Sequence, residues 1–312
     1  MTGDRQTIDN LFRHMEIQKN IMADPQSAHL VLNGNRVLGM QSVPGLTVTP
    51  KELSDGLEAR IDLAEGVRIA KPVHLCFGML PEKGIQRIIL TVNIGKNAEI
   101  SILAHCVFPN AVDVQHIMNG SIHLGEGARY SYVEKHVHSA AGGIRVVPKA
   151  VIHAAKNARF YTEFELKKGR VGQIDIDYET HCAAGAVAEM TARISGSGDD
   201  IIKIRETAHL NGAKSRGALT TKIAVRDRAR AEVYNKMTAS APHARGHVDC
   251  KEIVQDQGRA SAIPIIEVND PRAHITHEAA IGSVDNKQLE TLLARGLGED
   301  AAVELIIQGL LS

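Results

Sequence analysis

A chain of 312 residues with 44% hydrophobic content can bury a substantial core, in one long domain or two ordinary ones, which excludes an intrinsically disordered protein. Lys plus Arg and Asp plus Glu balance at 36 each, so no overall field draws the chain to nucleic acid or to an anionic membrane, and its expected partner is another protein. Aromatic residues make up 3% and Trp is missing, so the core must come from Val, Ile, Leu and Ala, a composition suited to thin, closely stacked layers.

Met1-Thr2-Gly3-Asp4-Arg5 lacks the charged-then-apolar layout of a signal peptide. No later stretch reaches the roughly 20 apolar residues of a membrane span. The expectation is a soluble, cytoplasmic protein. From Thr7 to Met22, Ile8, Leu11, Phe12 and Met15 fall at helical spacing and predict a helix, followed by a mixed stretch; residues 1–69 are read together as a partly helical N-terminal segment.

From about residue 70 the pattern becomes short alternating runs, such as Glu99-Ile100-Ser101-Ile102 and Tyr130-Ser131-Tyr132-Val133, separated by Gly and Asn turns, which predict strands. A small-residue turn, then Ala, then an alternating run recurs at Asn97-Ala98, Gly127-Ala128, Asn157-Ala158 and Gly185-Ala186, with a looser copy at Gly258-Arg259-Ala260-Ser261. The first four lie about 30 residues apart, a period that indicates stacked coils. A β-sandwich explains the strands without the period, and an α/β sheet needs helical segments that this region lacks. Residues 70–279 are therefore read as a β-solenoid core.

After residue 280 the spacing is helical again. Asp285 with Gln288 resembles a capping box, Leu289, Leu292 and Leu293 form an apolar face, and Gly296 is placed to end the helix. Val303, Ile306, Ile307 and Leu310 predict a second helix, with Glu299 and Asp300 in its first turn, where the helix dipole favours negative charge. The pair at 280–312 either caps the open solenoid end or docks a partner, and both roles can hold together.

Cys76, Cys106, Cys182 and Cys250 are scattered, with no Cys-x-x-Cys pair, so no disulfide framework is expected. The chain has fifteen His, whose ordinary role is a hydrogen-bonded residue. The richest chemistry lies in Arg245-Gly246-His247-Val248-Asp249-Cys250 and His274-Ile275-Thr276-His277-Glu278. A thiolate is the preferred ligand of iron–sulfur species, while imidazole and carboxylate bind iron more labilely, so such a set can hold a cluster and still release it. Cys250 and Glu278 lie 28 residues apart, close to the coil period, so they are candidates for neighbours; His277 and Glu278 should point to opposite faces of one strand unless the backbone bends or two chains meet.

His247 with Cys250, His277 and Glu278 also offers zinc ligands, at a spacing matching no common zinc module. A purely structural role, with Cys250 a small buried hydrophobe, competes with both. The sequence has no phosphate loop and no nucleophile elbow, and Gly196-Ser197-Gly198 before Asp199-Asp200 reads as a turn. The chain is therefore not expected to hydrolyse ATP itself.

The sequence resembles the SufB/SufD family of the sulfur-mobilisation pathway, in particular its short, single-type members. The likeness runs through Gly198-Asp199-Asp200, Ala244 to Cys250, Ser261-Ala262-Ile263-Pro264, Thr276-His277-Glu278-Ala279, Ile281 to Asp285, Gln288-Leu289 and Arg295-Gly296-Leu297. It implies a right-handed parallel β-helix and a scaffold on which iron–sulfur clusters are built and passed to recipient apoproteins. It also implies C-terminal helices that dock a SufC-type ATPase, and pairing of two scaffold subunits. By resemblance Cys250 is the cluster-ligating thiolate, Glu278 its carboxylate partner, and His277 the His that a second subunit supplies in SufD-like chains. One chain holding all three points to a homodimer, with a SufB/SufD-like paralogue as the other possible mate. ATP binding by the partner could then close or rotate the pair.

Where many SufB chains carry the Cys that accepts sulfur from a donor, the strand Tyr132-Val133-Glu134-Lys135-His136 has His136. Cys182, Cys106 or inorganic sulfide remain as routes. Two other functions stay open: a metal-dependent β-helix hydrolase or lyase, and a SufD-like docking subunit that holds no cluster.

Overall fold

A computed structural model gives the fold and describes residues 2–15 and 22–312. It is a β-solenoid of about 8 turns with one helix before it and two after. Helix α1 spans Thr2–Met15; the sequence-predicted helix continues across 16–21, which lie outside the described residues.

Two sheets form the walls. One runs, in spatial order, β2 (Arg36–Gln41), β1 (His29–Asn33), β5 (Val73–Gly78), β7 (Glu99–Phe108), β9 (Arg129–His138), β11 (Arg159–Lys168), β13 (Val187–Gly196), β15 (Arg216–Val225), β17 (Arg245–Val254) and β19 (His274–Gly282). The other runs β3 (Leu46–Leu53), β4 (Gly56–Leu63), β6 (Lys83–Ile94), β8 (Asp113–Leu124), β10 (Ile144–Ala154), β12 (Gln173–Cys182), β14 (Ile201–Leu210), β16 (Arg230–Ala239) and β18 (Arg259–Val268). Each coil places one strand in each wall, and from β5 onward every neighbour is parallel. Coil-to-coil parallel pairing excludes both the sandwich and the α/β alternatives. Within the segment 1–69, the antiparallel hairpins β1–β2 and β3–β4 continue both sheets and finish the N-terminal end.

The repeated turn-Ala motif is one corner of the solenoid. Asn97, Gly127, Asn157, Gly185, Lys214 and His243 stack there, all with φ between 55° and 69°. Ala98, Ala128, Ala158, Ala186 and Ala244, the next residues in five of the six turns, have no accessible surface. The left-handed backbone turns the chain, and the corner takes a small residue, Ala in five turns and Ser215 in the sixth. At Gly185 a Cβ would run into Asn157 Oδ1 of the preceding coil, so Asn and Gly alternate up this part of the column. The looser copy at Gly258-Arg259-Ala260 belongs elsewhere: Arg259 pairs with Arg230 in the other sheet, so it marks a different corner.

Strand alternation sends one residue in two into the interior, filled mostly by Ile, Leu, Val and Ala. Helix α1 packs Leu11 and Phe12 on the outside of the first coils, against Val31, Cys76 and Val107. At the far end α2 (Asn286–Ala294) and α3 (Glu299–Leu310) follow β19. Asp285 accepts from the Gln288 N–H at 2.8 Å and caps α2, and Gly296, at φ 90°, follows its last turn. Helix α3 seats Ile307, followed by Leu311, on Ala224 of β15. Helix α2 buries no residue. Among the described residues no further coil stacks on the last one, so the inner face that is buried at Val248, Cys250 and Glu252 in β17 becomes half-buried or exposed in β18 and β19.

Candidate functional site

In β17 the alternation turns Val248, Cys250 and Glu252 inward and Asp249 and Lys251 outward. Cys250 is opposite Thr221 of β15 on one side and Ala279 of β19 on the other. From the facing wall Asn235 and Glu206, register partners in β16 and β14, project into the same lane. Asn235 Nδ2 donates to Cys250 Sγ at 3.8 Å. Cys250, Thr221 and Asn235 have no accessible surface. Burial pushes the Cys250 thiol up, Glu206 up to about 8 and Glu252 up to about 7. One oxygen of Glu206 and the side-chain oxygen of Asn235 have no partner.

Glu278 pairs with Asp249, not with Cys250, and its side chain lies outside, 3.8 Å from Lys251 Nζ. His277 is opposite Val248, on the inward-facing register, but at the uncovered end of the solenoid, and is exposed. His247 lies outside, bonded to Thr276 Oγ1 at 2.8 Å. Within one chain the expected ligand set is thus divided: Cys250 is inside, Glu278 is outside, and His277 is at the open rim. The separation of 28 residues falls one short of the local register of 29, and one residue reverses the face.

A second polar lane lies deeper. Strand β9 turns Tyr130, Tyr132, Glu134, His136 and His138 inward. A backbone carbonyl only accepts, so His138 donates through Nδ1 to Arg170 O at 3.0 Å, and its Nε2 must accept from His136 Nδ1, also at 3.0 Å. His136 Nε2 is then an acceptor, and the proton in its 2.6 Å bond belongs to Glu134 Oε1. Burial raises Glu134 and holds His136 at about 3, so a carboxylic acid facing a neutral imidazole is the stable pairing. Cys106, the register partner of His136, donates to the same oxygen at 3.6 Å. His136 therefore stands in a closed interior, and all four cysteines are buried and free.

Residues 82–310 match the family model of the SUF system FeS cluster assembly, SufBD core domain. An iron–sulfur cluster assembly SufBD family protein of Pyrococcus horikoshii is 36% identical over 284 residues, 91% of this chain and 86% of that one. A protein of the same description from Methanocaldococcus jannaschii is 36% identical over 282 residues, 90% and 89% of the two chains. The chain is a SufBD family protein. A second P. horikoshii member is 26% identical over 252 residues, 78% of this chain and 55% of its own length.

The Gly198-Asp199-Asp200 run of this SufBD protein is structural. Asp200 is fully buried and accepts from the N–H groups of Val171, Gly172 and Ser197 at 2.9–3.0 Å and from Arg170 at 2.8 Å, tying one coil's corner to the preceding coil. Among the described residues two sets of side chains gather three donor atoms within 4.8 Å: Cys106, His116 and Glu134 inside, and Glu179, His181 and His209 outside. Neither contains a residue that the sequence singled out as a ligand. The outer set ends a ladder of His123, His153, His181 and His209, register partners with ring centroids 4.8–5.3 Å apart. Their recurrence every 28–30 residues was a readable signal. Among the described residues no helix is long and apolar enough to cross a membrane.

Proposed function

We propose that this SufBD protein is a non-hydrolytic scaffold on which iron–sulfur clusters are assembled and then passed to apoproteins, in the cytoplasm, with a SufC-type ATPase docked on the C-terminal helices. The scaffold works as a pair of copies. The division of the ligand set carries this reading: a buried thiol at Cys250, with His277 and Glu278 on the terminal strand β19, is complete only when a second chain meets the uncovered end. A twofold pairing there doubles every ligand and brings copies of Cys250 and Glu278 toward one shared site.

The helix pair supports the docking role. A groove of about 930 Å³ between α2 and α3, walled by Leu292, Leu305, Ile306 and Leu310 and reaching Ile253 on β17, is more apolar surface than an end cap needs. Nucleotide bound by the ATPase acts through different affinities for a closed and an open pair, and opening frees the Cys250 lane. Because all four thiols are buried, inorganic sulfide taken directly fits better than a surface persulfide relay.

Anaerobic reconstitution of the chain co-expressed with its ATPase tests the proposal, by visible absorption and by iron and sulfide analysis. Wild type should load a transferable cluster, Cys250→Ser should lose it, and Glu278→Ala should hold it more weakly. Equal loading of all three overturns the assignment. A protein that never loads yet still binds the ATPase is a docking subunit without a cluster, and one that holds a single zinc and hydrolyses substrate without the ATPase is an enzyme.

A further inference from the structure

Cys106 on β7, His116 on β8 and Glu134 on β9 form a second donor set that the scaffold reading leaves unused. One sulfur, one ring nitrogen and one carboxylate oxygen lie within 4.8 Å of one another, and all three residues are buried. Glu134 shares an inward column with Phe164, Ala192, Thr221 and Cys250, four strand spacings in all. At about 4.8 Å per spacing the two sites are roughly 19 Å apart. Cys250, Glu278 and His277 take no part in it.

His116 is the residue left unsatisfied. It has no accessible surface, neither ring nitrogen has a partner, and Phe108 stands against it with ring centroids 4.9 Å apart. Burying an imidazole with both nitrogens unpaired is costly, and a ligand to nitrogen recovers that cost. The neighbouring donors have metal spacing. With metal–nitrogen and metal–sulfur bonds of about 2.0–2.3 Å, adjacent corners of a tetrahedron are about 3.3–3.8 Å apart, and Cys106 Sγ lies 3.6 Å from Glu134 Oε1. His136 Nε2, 2.6 Å from the same oxygen, hydrogen-bonds that carboxylate and orients it. Its other nitrogen is held by His138, itself held by the Arg170 carbonyl, the kind of outer support that a ligating carboxylate needs.

We propose that Cys106, His116 and Glu134, with His136 orienting the carboxylate, hold one divalent first-row transition ion, zinc or ferrous iron, inside the solenoid. The mixed set of one thiolate, one imidazole and one carboxylate suits both ions. The coils close around the site, so the ion enters as the chain folds and stays through purification.

The test is metal analysis and X-ray absorption of the full-length chain, purified anaerobically and washed with chelator, in a Cys250→Ser background so that no cluster at Cys250 contributes. One equivalent of metal is expected, with one sulfur at about 2.3 Å and nitrogen or oxygen neighbours at about 2.0–2.1 Å. The analysis itself separates zinc from iron. Adding Cys106→Ser should remove the sulfur shell, and His116→Phe, which suits the Phe-lined wall, should lower occupancy at least tenfold. Should His116→Phe fail to fold by circular dichroism, His116→Gln takes its place. A folded chain without stoichiometric metal, or a sulfur shell that survives Cys106→Ser, overturns the site, and either result leaves the cluster reading at Cys250 untouched.

Discussion

Glu206 shows how the interior charges its cost. Its carboxyl is held up to about 8 by burial, against an ordinary 4.5, so between these values the folded chain keeps a proton that the unfolded chain has lost. Stability must therefore fall as pH rises through that window, and below about 4.5 the penalty vanishes. Glu206→Gln removes the penalty without changing shape. The stability of the variant relative to wild type, from urea unfolding, should rise by on the order of a few kcal/mol between pH 5 and pH 9; a flat difference means that Glu206 ionises freely. Cysteines behave likewise. Burial pushes the thiols of Cys76 and Cys182 up to about 12, which leaves almost no thiolate at neutral pH. Replacing either with Ser should leave cluster loading, read as acid-labile sulfide, unchanged, whereas Cys250→Ser should abolish it.

At the scale of the element, corners and caps carry the specificity. Gly185 combines φ 66° with the contact that a Cβ would make with Asn157, so Gly185→Ala meets both backbone strain and a clash. The expected loss is above about 1 kcal/mol, read as a lower urea midpoint with unchanged slope. Helix α2 depends on a different contact. Asp285 caps it and the helix buries nothing, so Asp285→Ala should cost about 1 kcal/mol of helix stability while leaving the global melt in place. That cost should appear as roughly fivefold weaker binding of the ATPase, measured by calorimetry.

The whole molecule is quasi-one-dimensional, each coil touching only its neighbours, so protection should grade along the axis. Amide exchange is expected to be slowest from β7 to β15 and fastest, among the strands, in β18 and β19, whose inner faces are uncovered. If a second copy meets that end, β18 and β19 should gain protection as concentration rises, in step with a dimer seen by sedimentation. A concentration-independent monomer with the ATPase bound argues against the pairing. Leu305, 48% exposed on α3, gives the complementary test of the proposed docking role. Leu305→Glu should abolish co-purification of the ATPase and leave the exchange pattern of the coils intact.

Local chemistry already determined much of this protein. The period near 30, the Asn-Ala and Gly-Ala corners, the Asp285 cap and the Gly296 stop are short-range features, and each is where the sequence put it, because turn geometry and capping need only a few neighbouring residues. The ligand set was named but not located, since the face that a side chain takes depends on register. A 28-residue separation in a 29-residue coil sends Glu278 outside while Cys250 goes in. The interior of β9 was hidden for a related reason: the alternating run at Tyr130-Ser131-Tyr132-Val133 predicts a strand, but not that Glu134, His136 and His138 follow Tyr130 and Tyr132 inward. Only the stacked structure could decide that, because Glu134 and His138 meet Cys106 and Arg170, residues from adjacent coils about thirty positions away in the chain.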